Sequence, residues 1–235
     1  MKHRIIIVAI AALLLAEAAA RPEIKITVDR NAKGEAKPGF KFKNVPSPSA
    51  DDAATQAKFT IVSGARDDNG AGVEALNDGK LPTEEDQPEQ NFFFDAGTDG
   101  GRLQVDLGKV IEVKQVNTYS WHPDTRGPQI YKLYVSDGAA EGFDAKPGRG
   151  VDLEKHGWKL LAKVNTKPKS GDGGGQYGVS ISDPDGALGK YRYLLFDIVR
   201  TENDDDFGNT FYSEIDVIGT EPAVTKAAKT THLGS

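Results

Sequence analysis

The stretch GRLQVDLGKVIEVKQVNTYSWHPDTRGPQIYKLYVSDG, residues 101–138, decides the fold. Leu103, Val105 and Leu107 alternate with Gln104 and Asp106, the period-two pattern of a half-buried strand. Gly108-Lys109 reads as a turn. Val113, Val116 and Tyr119 fall in a second β-rich run, and Ile130 to Val135 form a third. Between these two runs lies Trp121-His122-Pro123-Asp124-Thr125-Arg126-Gly127-Pro128, too rich in Pro and Gly for regular structure. It gathers an indole, an imidazole and a guanidinium in one loop. Binding chemistry is commonly placed on loops carried by a rigid scaffold.

Further strands are expected on both sides of this stretch. EIKITVD (23–29) alternates as an isolated edge strand would, and AKFTIVS (57–63) reads as the first strand of the main domain. WKLLAKV (158–164), residues 177–182 and residues 210–219 read as strands. KYRYLLFDIVR (190–200) is the most hydrophobic and is expected in the middle of a sheet. Asn91 to Asp95 reads as a short aromatic strand and Val73 to Leu76 as one turn of helix. Many short strands separated by Gly/Pro turns predict an all-β, two-sheet antiparallel β-sandwich.

The 235 residues suit one domain with tails. Met1-Lys2-His3-Arg4, an apolar run from Ile5 to Ala16 and Ala18-Ala19-Ala20 have the form of a secretory signal peptide over 1–20. That run is short for a spanning helix, which needs roughly 20 residues. Residues 21–57 read as a polar segment and linker, 58–219 as the sandwich and 220–235 as a disordered tail. The chain has no cysteine, so an exported form would rely on its core, with or without a bound ion, and not on disulfides. A net charge of -6 argues against general nucleic-acid binding, which needs a basic surface.

The run Gln104-Val105-Asp106-Leu107-Gly108-Lys109, then Val113 and Val116, then Arg126-x-Pro128-x-x-Tyr131-x-Leu133-Tyr134-Val135-Ser136-Asp137-Gly138 resembles the discoidin or coagulation-factor type C family. Ala75-Leu76-Asn77-Asp78-Gly79 resembles that family's calcium-loop opening, and Tyr212-Ser213-Glu214-Ile215-Asp216-Val217 its closing strand. The matches fall in the right order over about 58–219. Phe92-Phe93-Phe94 stands where the family often has a tryptophan, and the end-tying disulfide of the coagulation-factor members cannot form. The resemblance implies a galactose-binding-like jelly roll.

It also implies one structural Ca²⁺, with Asp78, Thr83 and Glu214 at the places of the family's ligands, beside main-chain carbonyls. These are hard oxygen donors of the kind Ca²⁺ takes. The alternative is an ordinary acidic surface loop with Glu214 pointing outward. In sugar-binding members of the family, ligand is held by loops at one end of the sandwich, on an aromatic platform beside His, Arg and Asn. Trp121, His122 and Arg126 are of the right type, and Asn203, Asp204 and Phe207 of the 201–209 loop would face them if both loops share an end. The alternative is that Trp121 caps the core and Arg126 braces loops through carboxylates.

Enzyme signatures are absent: no Gly-x-Ser-x-Gly, no HExxH and no cysteine nucleophile, with His122 and His156 the only histidines outside the ends. A two-carboxylate glycosidase is the remaining catalytic alternative. Gly173-Gly174-Gly175 lacks the Lys-Ser/Thr of a phosphate loop. The sequence therefore predicts a secreted, non-catalytic module that binds carbohydrate at a cell surface. The alternative is a structural or protein–protein module of the cell envelope. Acidic loop tips argue against phospholipid as the partner.

Overall fold

The computed structural model describes residues 23–220 except 172, 202–206 and 208. The expected leader, the tail after Thr220, and Asn203 and Asp204 lie outside the described residues. Eight strands follow in chain order: β1 (Lys25–Ala32), β2 (Lys58–Ser63), β3 (Gly101–His122), β4 (Ile130–Ser136), β5 (Lys159–Asn165), β6 (Gly175–Ser182), β7 (Gly189–Ile198) and β8 (Tyr212–Gly219). The helices described are single 3₁₀ turns, one of them at Val73–Leu76 as expected.

The two strands expected within 101–122 are one strand of 22 residues. The turn anticipated at Gly108-Lys109 is a bulge instead. Gly108 takes φ 78°, and the register against β7 shifts between Asp106 and Ile111. Glycine enters the left-handed region without a Cβ penalty, so the chain bends there and stays a strand. The first part of β3 pairs with β2 and β7, and β7 continues to β4 and β5. Its last part pairs with β6 and β8, and β6 continues to β1. All pairs are antiparallel. One strand thus turns the corner between two sheets, and the fold is an antiparallel β-sandwich.

The inner faces meet in one apolar cluster that joins Leu103 and Val105 to Val116, Leu133, Val179, Phe196, Ile215 and Val217. Core positions are odd-numbered in the first half of β3 and even-numbered by Val116. A register shift against β8 between Val113 and Gln115 accompanies that exchange. As its composition predicts, β7 lies inside a sheet, between β3 and β4. The expected strand at 91–95 is reduced to two isolated bridges, Phe92 to Tyr212 and Arg66 to Phe94.

The outer faces are covered too. Residues 33–57, read above as a linker, form a strap packed on the β3–β6–β8 sheet. The Asp29 carboxylate accepts from the Asn44 and Val45 amides, and Asp216 accepts from the Ser49 amide. Phe40 is the strap's knob. It has φ 48°, is fully buried, and meets Tyr119 and Trp121 edge-on at 6.1 and 5.7 Å between ring centres. On the other sheet, the 139–157 insertion is held by Arg102 and Gln104, which donate to the carbonyls of Gly148 and Ala145. Phe143 packs there against Trp158 and Tyr193.

Candidate functional site

At one end of the sandwich three segments converge: the loop after β3, the Phe92–Asp95 segment and the run into β8. Successive strand residues point to opposite faces, so Trp121 and His122 part company at the end of β3. Trp121 turns to the strap and is 3% exposed under Phe40, its Nε1 hydrogen lacking an acceptor among the described residues. The expected platform ring is therefore covered by the protein's own chain. His122 turns to the loop end and meets Phe211 edge-on at 4.8 Å.

Phe211 is the centre of this end. Phe93 stacks on it at 4.1 Å, and the Arg126 guanidinium lies 4.0 Å from the Phe211 ring and 4.7 Å from that of Phe93. A cation over aromatic faces is attracted by the ring quadrupole. Arg126 also donates from Nε to the Asn209 carbonyl at 3.1 Å, and its own carbonyl accepts from the Phe211 amide at 3.0 Å. Thr201 donates to the Thr125 carbonyl and Thr210 to the Pro128 carbonyl, both at 2.6 Å. The 123–128 loop and the ends of the 201–209 loop therefore share one end of the sandwich, and Phe207, between them, is 59% exposed.

The triglycine run supports the same loop. A Cβ on Gly174 would collide with the Pro123 carbonyl oxygen, so only glycine lets the start of β6 pass this close. Beneath the loop, Gln129 is fully buried and links Thr118 and Ser120 through its amide. Phe93, Phe211 and Asp86 were not singled out in the sequence. The Phe92-Phe93-Phe94 run held the signal: Phe92 and Phe94 face the core together, so period two sends Phe93 the other way.

His122 is 8% exposed and accepts at Nδ1 from the Asp124 amide at 3.0 Å. The neutral ring then carries its proton on Nε2, 3.9 Å from an Asp86 oxygen and beyond hydrogen-bond reach. Burial, and next the Arg126 guanidinium, push its pKa down to about 4, against the opposing pull of Asp86 and Asp124. The unfolded chain takes up this proton near pH 6.5 and the folded one only near 4. Stability from this group is thus complete above pH 6.5 and is lost as pH falls toward 4. The loss amounts to at most about 3–4 kcal/mol, at 1.36 kcal/mol per pKa unit. Comparing denaturant midpoints at about pH 7 and 4.5, His122→Gln should lose less stability than the unmodified protein.

The calcium-type loop presents a mixed donor set. Glu214 is 1% exposed, one of its carboxylate oxygens (Oε2) has no partner among the described residues, and the Gly79 amide bonds its carboxyl. Burial, followed by the nearby Asp216, Asp52 and Asp78 charges, pushes Glu214 up to about 9. Glu214 is therefore an inward residue, unlike the outward strand position considered above. Asp78 comes to the same place, with one oxygen accepting from the Lys80 amide and the other 3.5 Å from the Lys80 ammonium. Thr83 is exposed, and both its amide and its hydroxyl donate to Gln87. Asp52 and Asp216 are occupied by protein donors: Ala54 and Val217 amides on the first, the Ser49 amide and the Tyr119 hydroxyl on the second. Among the described residues, no three acidic, His or Cys side chains form a metal-holding group. An orphaned, deeply buried carboxylate oxygen does suit a hard cation.

The architecture is that of an antiparallel sandwich whose loops converge at one end. No protein-family model matches the chain, and no curated protein matches it. Solved structures similar to it include family 32 carbohydrate-binding modules. CpGH89CBM32-6 of Clostridium perfringens is 14% identical, with 72% of this chain and 98% of that one covered and a TM-score of 0.42. The family 32 module of C. perfringens NanJ, in complex with galactose, is 12% identical over 71% and 96%, with a TM-score of 0.45. The module of AlyQ, in complex with 4,5-unsaturated mannuronic acid, is 15% identical over 68% and 93%, with a TM-score of 0.42. These likenesses are loose, and the fold assignment rests on the strand order and register described above.

Proposed function

We propose that this protein is an exported, non-catalytic module that binds carbohydrate at the loop end. The observation that carries the reading is the exposed Phe207 ring on a loop tied to the one that holds Arg126 and His122. The apolar C–H face of a pyranose stacks on such a ring, while a guanidinium and an imidazole donate to hydroxyls. Arg126 is pre-set by Phe93 and Phe211, which lowers the ordering cost of a contact. Phe207, with Arg126 and the Nε2 edge of His122, takes the platform role that Trp121 cannot fill under the strap. Asn203 and Asp204 remain candidates by position on the same loop.

The test is calorimetric titration with galactose, mannuronate oligosaccharides and a wider panel of mono- and oligosaccharides. One sugar class should bind, and Phe207→Ala should weaken it by about tenfold or more, ~1.4 kcal/mol, with the melting temperature unchanged. No binding by any sugar in the panel would overturn the reading.

A structural Ca²⁺ belongs to the same proposal. Asp78 and Glu214 would hold it with main-chain carbonyls of the 77–83 loop, and the Thr83 side chain would need to leave Gln87 to join them. The ion would pin that loop to β8 and take no part in sugar contact. Ca²⁺ at about a hundredfold excess over its Kd should stabilise the protein by about 2.7 kcal/mol, and EDTA should reverse this. In Glu214→Gln the response should vanish. A response kept in that variant would place the ion elsewhere.

A further inference from the structure

We propose that the protein forms a two-fold symmetric dimer in which β1 pairs antiparallel with β1 of a second copy, across the open edge of the β1–β6–β3–β8 sheet. Among the described residues β1 has one strand partner, β6, and the backbone bonds to it from outside that pair reach only the Ala32 carbonyl. The other edge of the strand is a free row of main-chain donors and acceptors eight residues long. Such an edge is a template for another strand unless it is blunted. The far edge strand, β5, is blunted in this way, with Lys159 and Lys163 exposed along it. β1 also carries exposed charges, Lys25 and Arg30, but between them Ile26 and Val28 are 38% and 44% exposed, side by side on one face. Their register partners Ile181 and Val179 are fully buried, so the inner apolar layer runs out to this edge and stops uncovered.

The choice of a second copy comes from the strand's own pattern. A two-fold axis normal to the sheet pairs residues whose numbers sum to a constant, and side chains share a face only when that sum is even. Centred on Thr27, the pairing sets Ile26 against Val28 of the other copy twice, and Lys25 against Asp29 twice. Centred on Ile26 it opposes Glu23 to Asp29, two like charges. Centred on Val28 it opposes Ile26 to Arg30. Opposite charges and apolar pairs across strands stabilise, and like charges directly opposite destabilise. Within β1 the Thr27 register alone sets apolar against apolar and joins opposite charges; just before the strand it also sets Ile24 against Arg30. The strap leaves it room, since its bonds to Asp29 and Asn31 reach those side chains and not the strand backbone. A self-complementary patch is what a closed two-fold interface requires.

The chain has no cysteine, so a single introduced one can link only copy to copy. In the proposed register Thr27 faces Thr27, with Cβ atoms about 5 Å apart, whereas the two Val28 residues lie on a diagonal of about 8 Å. Mild oxidation should convert Thr27→Cys to a covalent dimer, and leave Val28→Cys and the β5 control Lys159→Cys monomeric. Light scattering should give twice the 25.3 kDa chain mass for the unmodified full chain, and one chain mass for Val28→Lys with unchanged melting temperature. Three results would overturn the proposal: a monomer at concentrations up to about 100 µM, a dimer indifferent to Val28→Lys, or a covalent dimer of the Val28→Cys variant with none of Thr27→Cys. Protection from hydrogen exchange, in a monomer, of the β1 amides that face away from β6 would show the edge covered by the chain itself, a fourth result that would overturn it.

Discussion

Phe40→Ala should destabilise the protein by about 3–5 kcal/mol, the range for emptying a buried phenylalanine site. The ring is fully buried and touches Phe42, Tyr119 and Trp121, and it is the lid over the last two. Its backbone stands at φ 48° beside Gly39 at φ 88°, a pair of left-handed residues that drives the side chain down onto the sheet. A non-glycine residue in that region is held there by its surroundings. Alanine would keep the strain and lose the contacts that hold it. Phe40→Gly should relieve the strain and recover part of the loss. Chemical denaturation of both variants distinguishes these outcomes, and a cost below about 1 kcal/mol for Phe40→Ala would mean that the strap is not integral to the fold.

Asp52→Ala should cost about 2–6 kcal/mol, whereas Asp52→Asn should be close to neutral. One Asp52 oxygen accepts from the Ala54 amide at 2.7 Å and the Val217 amide at 2.9 Å, so it caps a 3₁₀ turn and ties the strap to β8 at once. Alanine leaves two buried amides unpaired, each costing about 1–3 kcal/mol. Asparagine keeps an acceptor in the same position. It also removes a charge that burial disfavours and that opposes ionisation of Asp216 and Glu214. Equal losses in the two variants would assign the effect to the charge instead of the hydrogen bonds.

Alternation made the inner core legible. Leu103, Val105, Val179 and Ile181 were readable as inward positions, because one side of each strand meets the other sheet, while Leu107 of the same alternation is only partly buried. The second, outer coverings were less legible. Arg102 and Gln104 look like solvent-facing strand residues, and both are buried because the insertion's carbonyls take their hydrogens. Residues 33–57 have the composition of a linker, and only the pairing of Phe40 with Tyr119 and Trp121, far apart in sequence, shows them to be a cover. The corner in β3 read as a turn because Gly108 marks a bulge and a turn alike.

At the loop end, residue type pointed to His122, Arg126 and Phe207, and the fold brings the first two together on Phe211. It also pointed to Trp121, whose strand parity directs it away. Phe93 and Phe211 were missed because each sits in a run that reads as strand, and their stack forms only when the 92–95 segment meets the start of β8. The residues expected to hold calcium part company in the structure. Asp78 and Glu214 come together, while Thr83 turns to Gln87, a choice made by a loop conformation that no spacing rule encodes.

Carbohydrate binding at the loop end is tested most directly by mapping amide chemical shifts during titration of the isotope-labelled protein with the sugar panel. Saturable shifts should concentrate in residues 122–128 and 207–211, and they should be lost in Phe207→Ala. Saturable shifts confined to another surface, such as the cleft beside Trp158 and Leu160, or no shifts with any sugar, would contradict it.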